Sequence, residues 1–157
     1  MRHRSRSVGA LSLLVPLIVA ASAPGITSAA TPAPGATITA TVTGLRSAKG
    51  QVLACLTTRE DLFPECDHDP DARKLTVPAS KQVMLNFGLV PDGHYAISLV
   101  HDENSNGKLD KRMMIPREGY GFSRDARVVM GPPSFASAAF AVHGTSLPLT
   151  IRMRYLF

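Results

Sequence analysis

Thr37–Thr43 alternates strictly, with Ile38, Ala40 and Val42 on one side and four threonines on the other. That period of two, with β-branched residues, predicts a half-buried strand. Gln51–Thr57 (QVLACLT) is apolar at both phases and reads as an inner strand covered on both faces. Val83, Leu85, Phe87 and Leu89 alternate with Gln82, Met84, Asn86 and Gly88, and His94–His101 sets Tyr95, Ile97 and Leu99 on one face. Further strands are predicted at Ala126–Met130, Ala139–His143 and Leu147–Tyr155; the last turns Leu147, Leu149, Ile151, Met153 and Tyr155 inward and Thr150, Arg152 and Arg154 outward. Arg46–Gly50 and Pro91-Asp92-Gly93 supply turns between these runs. Pro133–Phe140 has room for one helical turn, and no segment holds a helical period over about ten residues. The pattern predicts an all-β fold: an antiparallel β-sandwich of about seven strands, immunoglobulin-like or transthyretin-like, with one long ordered loop.

Ahead of these elements, Met1–Ser7 carries Arg2, Arg4 and Arg6, and Val8–Ala23 is apolar but broken by Pro16. The run is short for a spanning helix, which needs about 20 apolar residues. Small residues at Ser28-Ala29-Ala30 suit a peptidase. Residues 1–30 are therefore expected to be a cleaved signal peptide, 31–36 a short flexible linker, and 37–157 one sandwich domain. The expected destination is the periplasm or the extracellular space, with no stable membrane insertion after signal removal.

The leader also changes the charge argument. The chain has 17 Lys+Arg against 12 Asp+Glu, a net +5. Without the three leader arginines the balance is 14 against 12, or +2, spread thinly along the remainder. A nucleic-acid partner would want clustered Lys and Arg interleaved with aromatics, so none is expected. In an oxidising compartment Cys55 and Cys66 read as one disulfide, closing the acidic, Pro-containing Arg59–Ala72 loop.

The densest polar run is His101–Asp110 (HDENSNGKLD). It contains D-x-N-x-N-G-x-x-D, the opening of an EF-hand-type calcium loop. Asp102, Asn104, Asn106 and Asp110 would supply side-chain oxygens, Lys108 its carbonyl, and Gly107 the bend. Met113 stands where the bidentate glutamate belongs, and Glu118 is the nearest substitute. The competing reading is a metal-free turn capped by its own Asp and Asn side chains. If the loop holds an ion, that ion is expected to be calcium, bound weakly; no other cofactor is expected.

In order and spacing, HDENSNGKLD, IPREGYGFS (Ile115–Ser123) and GPPSF (Gly131–Phe135), with GLRSAKGQVLAC (Gly44–Cys55) before them, resemble an exported bacterial family, domain-of-unknown-function family 2141. The resemblance implies an exported β-sandwich without assigned activity; Cys55 and Cys66 are additions particular to this sequence. Phe87–Tyr95 (FGLVPDGHY) is also similar to a stretch of transthyretin-like and carboxypeptidase regulatory-like sandwiches.

Arg117, Glu118, Tyr120, Phe122 and Arg124 form a candidate recognition loop, with guanidiniums for carboxylate or phosphate and aromatic faces for stacking. Alternatively, Tyr120 and Phe122 plug the open end of the sandwich. His94 and His101, seven apart, should point to opposite faces and so not share a metal. The expected function is non-enzymatic binding or a structural role, with an envelope protein, peptide or glycan as partner. The alternative is a small hydrolase-like enzyme using His101 with Asp102 or Glu118.

Overall fold

The computed structural model describes residues 35–157. The expected leader, and all of the expected linker but Gly35 and Ala36, lie outside the described residues. Those two residues are not linker: they open the first strand, opposite Pro91 and Val90.

Among the described residues the chain forms β1 (Gly35–Thr43), β2 (Gln51–Thr57), β3 (Arg73–Pro78), β4 (Val83–Pro91), β5 (Gly93–Asp102), β6 (Lys111–Arg112), β7 (Ile115–Pro116), β8 (Gly119–Phe122), β9 (Phe140–Val142) and β10 (Leu147–Arg152). A one-turn helix, α1 (Phe135–Ala138), precedes β9 and is capped by Ser134, whose Oγ accepts from the Ser137 N–H. One sheet runs β10-β1-β4 and the other β3-β2-β5-β8, with β9 also pairing β5. The inward residues of both, including Ile38, Leu56, Leu85, Ile97, Leu99 and Ile151, make one apolar core. The architecture is an all-β sandwich.

One pairing departs from the antiparallel expectation. β10 runs parallel to β1, with Ala40 opposite Leu149 and Val42 opposite Ile151. The two strands are far apart in sequence, so no tight turn forces an antiparallel arrangement. The phase expected for β4 also changes midway. Gly88, at φ 75°, sits at a bulge where the register against β1 slips, and the extra residue inverts the faces that follow. Leu89 is consequently 64% exposed, and Val90 takes its place in the core. In the final segment the inward phase holds to its end: Ile151 and Met153 are buried and Tyr155 is half-buried.

The second half of β2 is covered on both faces, as its composition predicts. The outer cover is the 58–72 segment, held by the Cys55–Cys66 disulfide, by Ser98 Oγ donating to the Pro64 carbonyl at 2.8 Å, and by Phe63 packing edge-on against Phe122. β3 has charged, largely exposed positions at a sheet edge, the composition that keeps edges from pairing further, and it lacks the alternation that marks the inner strands.

The expected long loop is largely structured. Its middle folds into the β6–β7 hairpin, and β8 joins β5 with Tyr120 opposite Val100. No strand forms at Ala126–Met130. Ala126 is buried, but Val129 and Met130 are 84% and 100% exposed, without a neighbouring strand to pair.

Candidate functional site

The polar run lies where β5 leaves the core. His101 keeps the inward phase of Ile97 and Leu99 and is fully buried. Its Nε2 lies 2.9 Å from the Lys49 carbonyl and its Nδ1 2.7 Å from the Tyr155 hydroxyl. A carbonyl only accepts, so Nε2 carries the hydrogen, and in the neutral ring Nδ1 accepts from Tyr155. That hydroxyl also accepts from the Arg46 N–H at 3.1 Å, while the Arg46 guanidinium stacks 4.6 Å from the Tyr155 ring centroid. Burial pushes the Tyr155 hydroxyl upward, against the bond from Arg46. His94 is exposed on the opposite face of β5, as the seven-residue spacing predicts.

Asp102 faces away from His101, directly opposite Gln51 across the β5–β2 ladder. It is completely buried. Its Oδ1 accepts from the Asn106 N–H at 3.0 Å, and its Oδ2 from the Gly107 N–H at 2.7 Å and from Gln51 Nε2 at 2.8 Å. Burial alone would raise this carboxyl; the hydrogen bonds from Gln51 and the Gly107, Asn106 and Ser105 backbone outweigh it and hold the group below the usual range. Glu103 is likewise held low, chiefly by its ion pair with Arg46 and also by Ser47, whose Oγ donates to Oε1 at 2.8 Å.

The loop then closes on itself. Asn104 and Asn106 accept from the N–H of Asn106 and Lys108, at 3.0 and 3.1 Å. Their amide nitrogens donate to the two oxygens of Asp110, at 2.7 and 3.0 Å. Glu118 reaches back beneath the loop. Its Oε1 accepts from the Glu103 N–H at 3.0 Å and its Oε2 from the Asp110 N–H at 2.9 Å, so one carboxylate grips both ends of the turn. Arg117 N–H donates to the Asp110 carbonyl at 2.9 Å and sets the base of the hairpin. Gly50 lies against the same corner at φ 70°; a Cβ there would fall 2.7 Å from Glu103 Cα.

All five residues of the expected calcium loop therefore lie in one hydrogen-bonded turn. Asp102, Asn104, Asn106 and Asp110 join through side chains, and Lys108 through its N–H. Glu118 does approach the turn, but through backbone donors. For an ion to enter, the asparagine oxygens would have to share lone pairs between it and the backbone, and the amide nitrogens would have to leave Asp110.

The candidate recognition loop divides. Tyr120 and Phe122 are only 6% and 8% exposed, packed with Ala96, Ala126 and Ala138 against Phe63 and Phe135. They pack in a second apolar cluster on the outer face of their sheet instead of presenting stacking faces, because β8 pairs with β5 and turns them under the disulfide-held segment. Glu118 is buried as well, whereas Arg117 and Arg124 remain at the surface. Arg124 Nη1 donates to the Ala139 carbonyl at 3.1 Å.

Gln51, Arg46, Lys49 and Tyr155 belong to the corner although the sequence does not single them out for it. The alternation of Leu147–Tyr155 gives the face of Tyr155, but only the strand pairing and the turn after β1 bring the four to His101 and Asp102. Among the described residues, every buried polar side-chain atom has a hydrogen-bond partner. Chemically, the corner is an anchorage: it joins the end of β5, the turn after β1, the chain terminus and the hairpin base.

Comparison with curated proteins and with solved structures finds no match to this chain. A family model does match residues 40–150, more than half of the chain, and by it the protein belongs to DUF2141, the family described as an uncharacterized protein conserved in bacteria.

Proposed function

We propose that this chain is an exported, non-enzymatic binding β-sandwich whose polar corner is a rigid mount for the β6–β7 hairpin, Lys111–Pro116. One observation carries the reading: both His101 nitrogens, both Asp102 oxygens and both Glu118 oxygens bond to groups that hold the fold together. A general base needs a lone pair within reach of its substrate. His101 and Asp102, the pair of the hydrolase alternative, also point to opposite faces of β5. Export is supported by the basic-then-apolar start of the sequence and by the Cys55–Cys66 disulfide. The partner belongs to the cell envelope or its surroundings.

In this reading the mount needs no ion, because the turn's backbone donors are already met by its own side chains. Thermal unfolding of the purified protein is expected to be the same in chelator and in millimolar calcium. A calcium-dependent rise in Tm that Asp110→Ala abolishes would overturn the metal-free mount and install the ion as part of it.

A further inference from the structure

We infer that the β6–β7 hairpin docks reversibly on an anionic lipid surface, its Met113–Met114 tip entering the headgroup region; this rests on the hairpin being the presented element. The tip is a two-residue connection between β6 and β7. Both central residues have positive φ, 50° at Met113 and 71° at Met114. A tight hairpin of this kind is ordinarily made by Asn-Gly or Gly-Gly, because a side chain at positive φ is strained. Two methionines are poor turn formers, so the turn itself does not account for them.

Nor does packing account for them. Met113 and Met114 are 87% and 90% exposed and the adjoining Ile115 is 42% exposed, while the hairpin base is fixed by Glu118 and by the Arg117–Asp110 bond. The result is a convex apolar tip on a rigid stem.

Charge selects the surface that suits the tip. Lys108, Lys111, Arg112 and Arg117 flank it and are all exposed. Asp110 is the one acid within Lys108–Arg117, so the four cations outnumber it. Lys111 also contacts Glu65, at 3.3 Å, with both side chains substantially exposed; a surface ion pair of this kind is weak and readily exchanged. An apolar tip ringed by cations matches a bilayer rich in acidic headgroups: the methionines leave water while the ammonium and guanidinium groups stay at the phosphate level. A convex protrusion also suits a deformable medium better than a flat protein face.

The test is co-sedimentation with vesicles of phosphatidylglycerol and phosphatidylethanolamine, against vesicles of phosphatidylcholine alone, for variants sharing one N-terminus. The parent protein should pellet with the acidic vesicles and lose binding as salt rises. Met113→Ser with Met114→Ser should weaken that partition about tenfold or more, and Met113→Leu with Met114→Leu should retain it. Lys111→Gln with Arg112→Gln should weaken it about tenfold at low salt. Met84→Ser, which removes an exposed methionine from the three-stranded sheet, should change nothing. Unchanged Tm values guard against misfolding. Failure of the parent protein to pellet overturns the lipid assignment but leaves the metal-free mount to its own thermal test. Equal pelleting of the parent and the serine variant overturns the hairpin as the docking element.

Discussion

The corner around Asp102 and the hairpin tip at Met113 are eleven residues apart in sequence and opposite in physical character. In the corner, charged and polar groups are buried and all partnered. At the tip, apolar groups stand in water and the backbone carries strain with no internal compensation. Burying Asp102 is tolerable only because donors converge on it, so that region has little freedom to vary. Exposing two methionines at positive φ lowers stability and gains the fold nothing. The first region is explained by folding alone; the second calls for a purpose outside the molecule.

This contrast breaks if the corner tolerates change, and the severest probe is Gly50→Ala. The new Cβ would meet the Asp102 carbonyl and Glu103 Cα from a positive-φ residue, at an expected cost of about 3 kcal/mol or more. Denaturant unfolding would show this as a large fall in midpoint or as failure to fold. Asp102→Ala strands the Asn106 and Gly107 N–H groups and the Gln51 amide, for about 2–3 kcal/mol by the same measurement.

Acid should find the corner as well. Asp69, with Thr57 Oγ1 donating to its carboxylate, is held low alongside Asp102 and Glu103. Carboxyls that titrate lower in the folded chain than in the unfolded one contribute stability that is complete above about pH 5 and drains away as the pH falls through the unfolded and then the folded values. Thermal scans should thus be level from neutrality to mild acid and then decline. Asp102→Asn should make that decline shallower; an equally steep decline would show that the buried carboxylate contributes nothing.

Smaller effects sharpen the comparison. Tyr155→Phe removes the hydroxyl that His101 Nδ1 and the Arg46 N–H share, costing about 1 kcal/mol. At the tip the sign reverses. Met113→Asn with Met114→Gly suits the positive φ values and should raise stability by about 1 kcal/mol, while the serine pair should shift it by under about 0.5 kcal/mol. A stabilised hairpin that no longer binds acidic vesicles would separate the two roles most directly.

Several strands were legible in the sequence because a half-buried ribbon imposes its period on the residues: the alternations of Thr37–Thr43 and Leu147–Tyr155 reappear as buried and outward faces. The Asp102–Asp110 run was equally legible as a chemically dense turn, since Asp, Asn and Gly at those spacings bond to backbone a few residues away. Such signals are local. β8 was not legible: its glycines are required by Tyr155, Ile151 and Met153 lying against them, residues that only the finished sandwich delivers. The same holds for the phase change at Gly88, for the burial of Tyr120 and Phe122, and for Glu118 bonding to both ends of a turn. Periodicity and composition are properties of neighbours along the chain, and they determined the class of fold and the place of the polar turn. Which side chains meet across the sheets, and whether a carboxylate grips backbone or lies open, was decided by tertiary packing, because those partners come from distant segments whose pairing no short window of sequence contains.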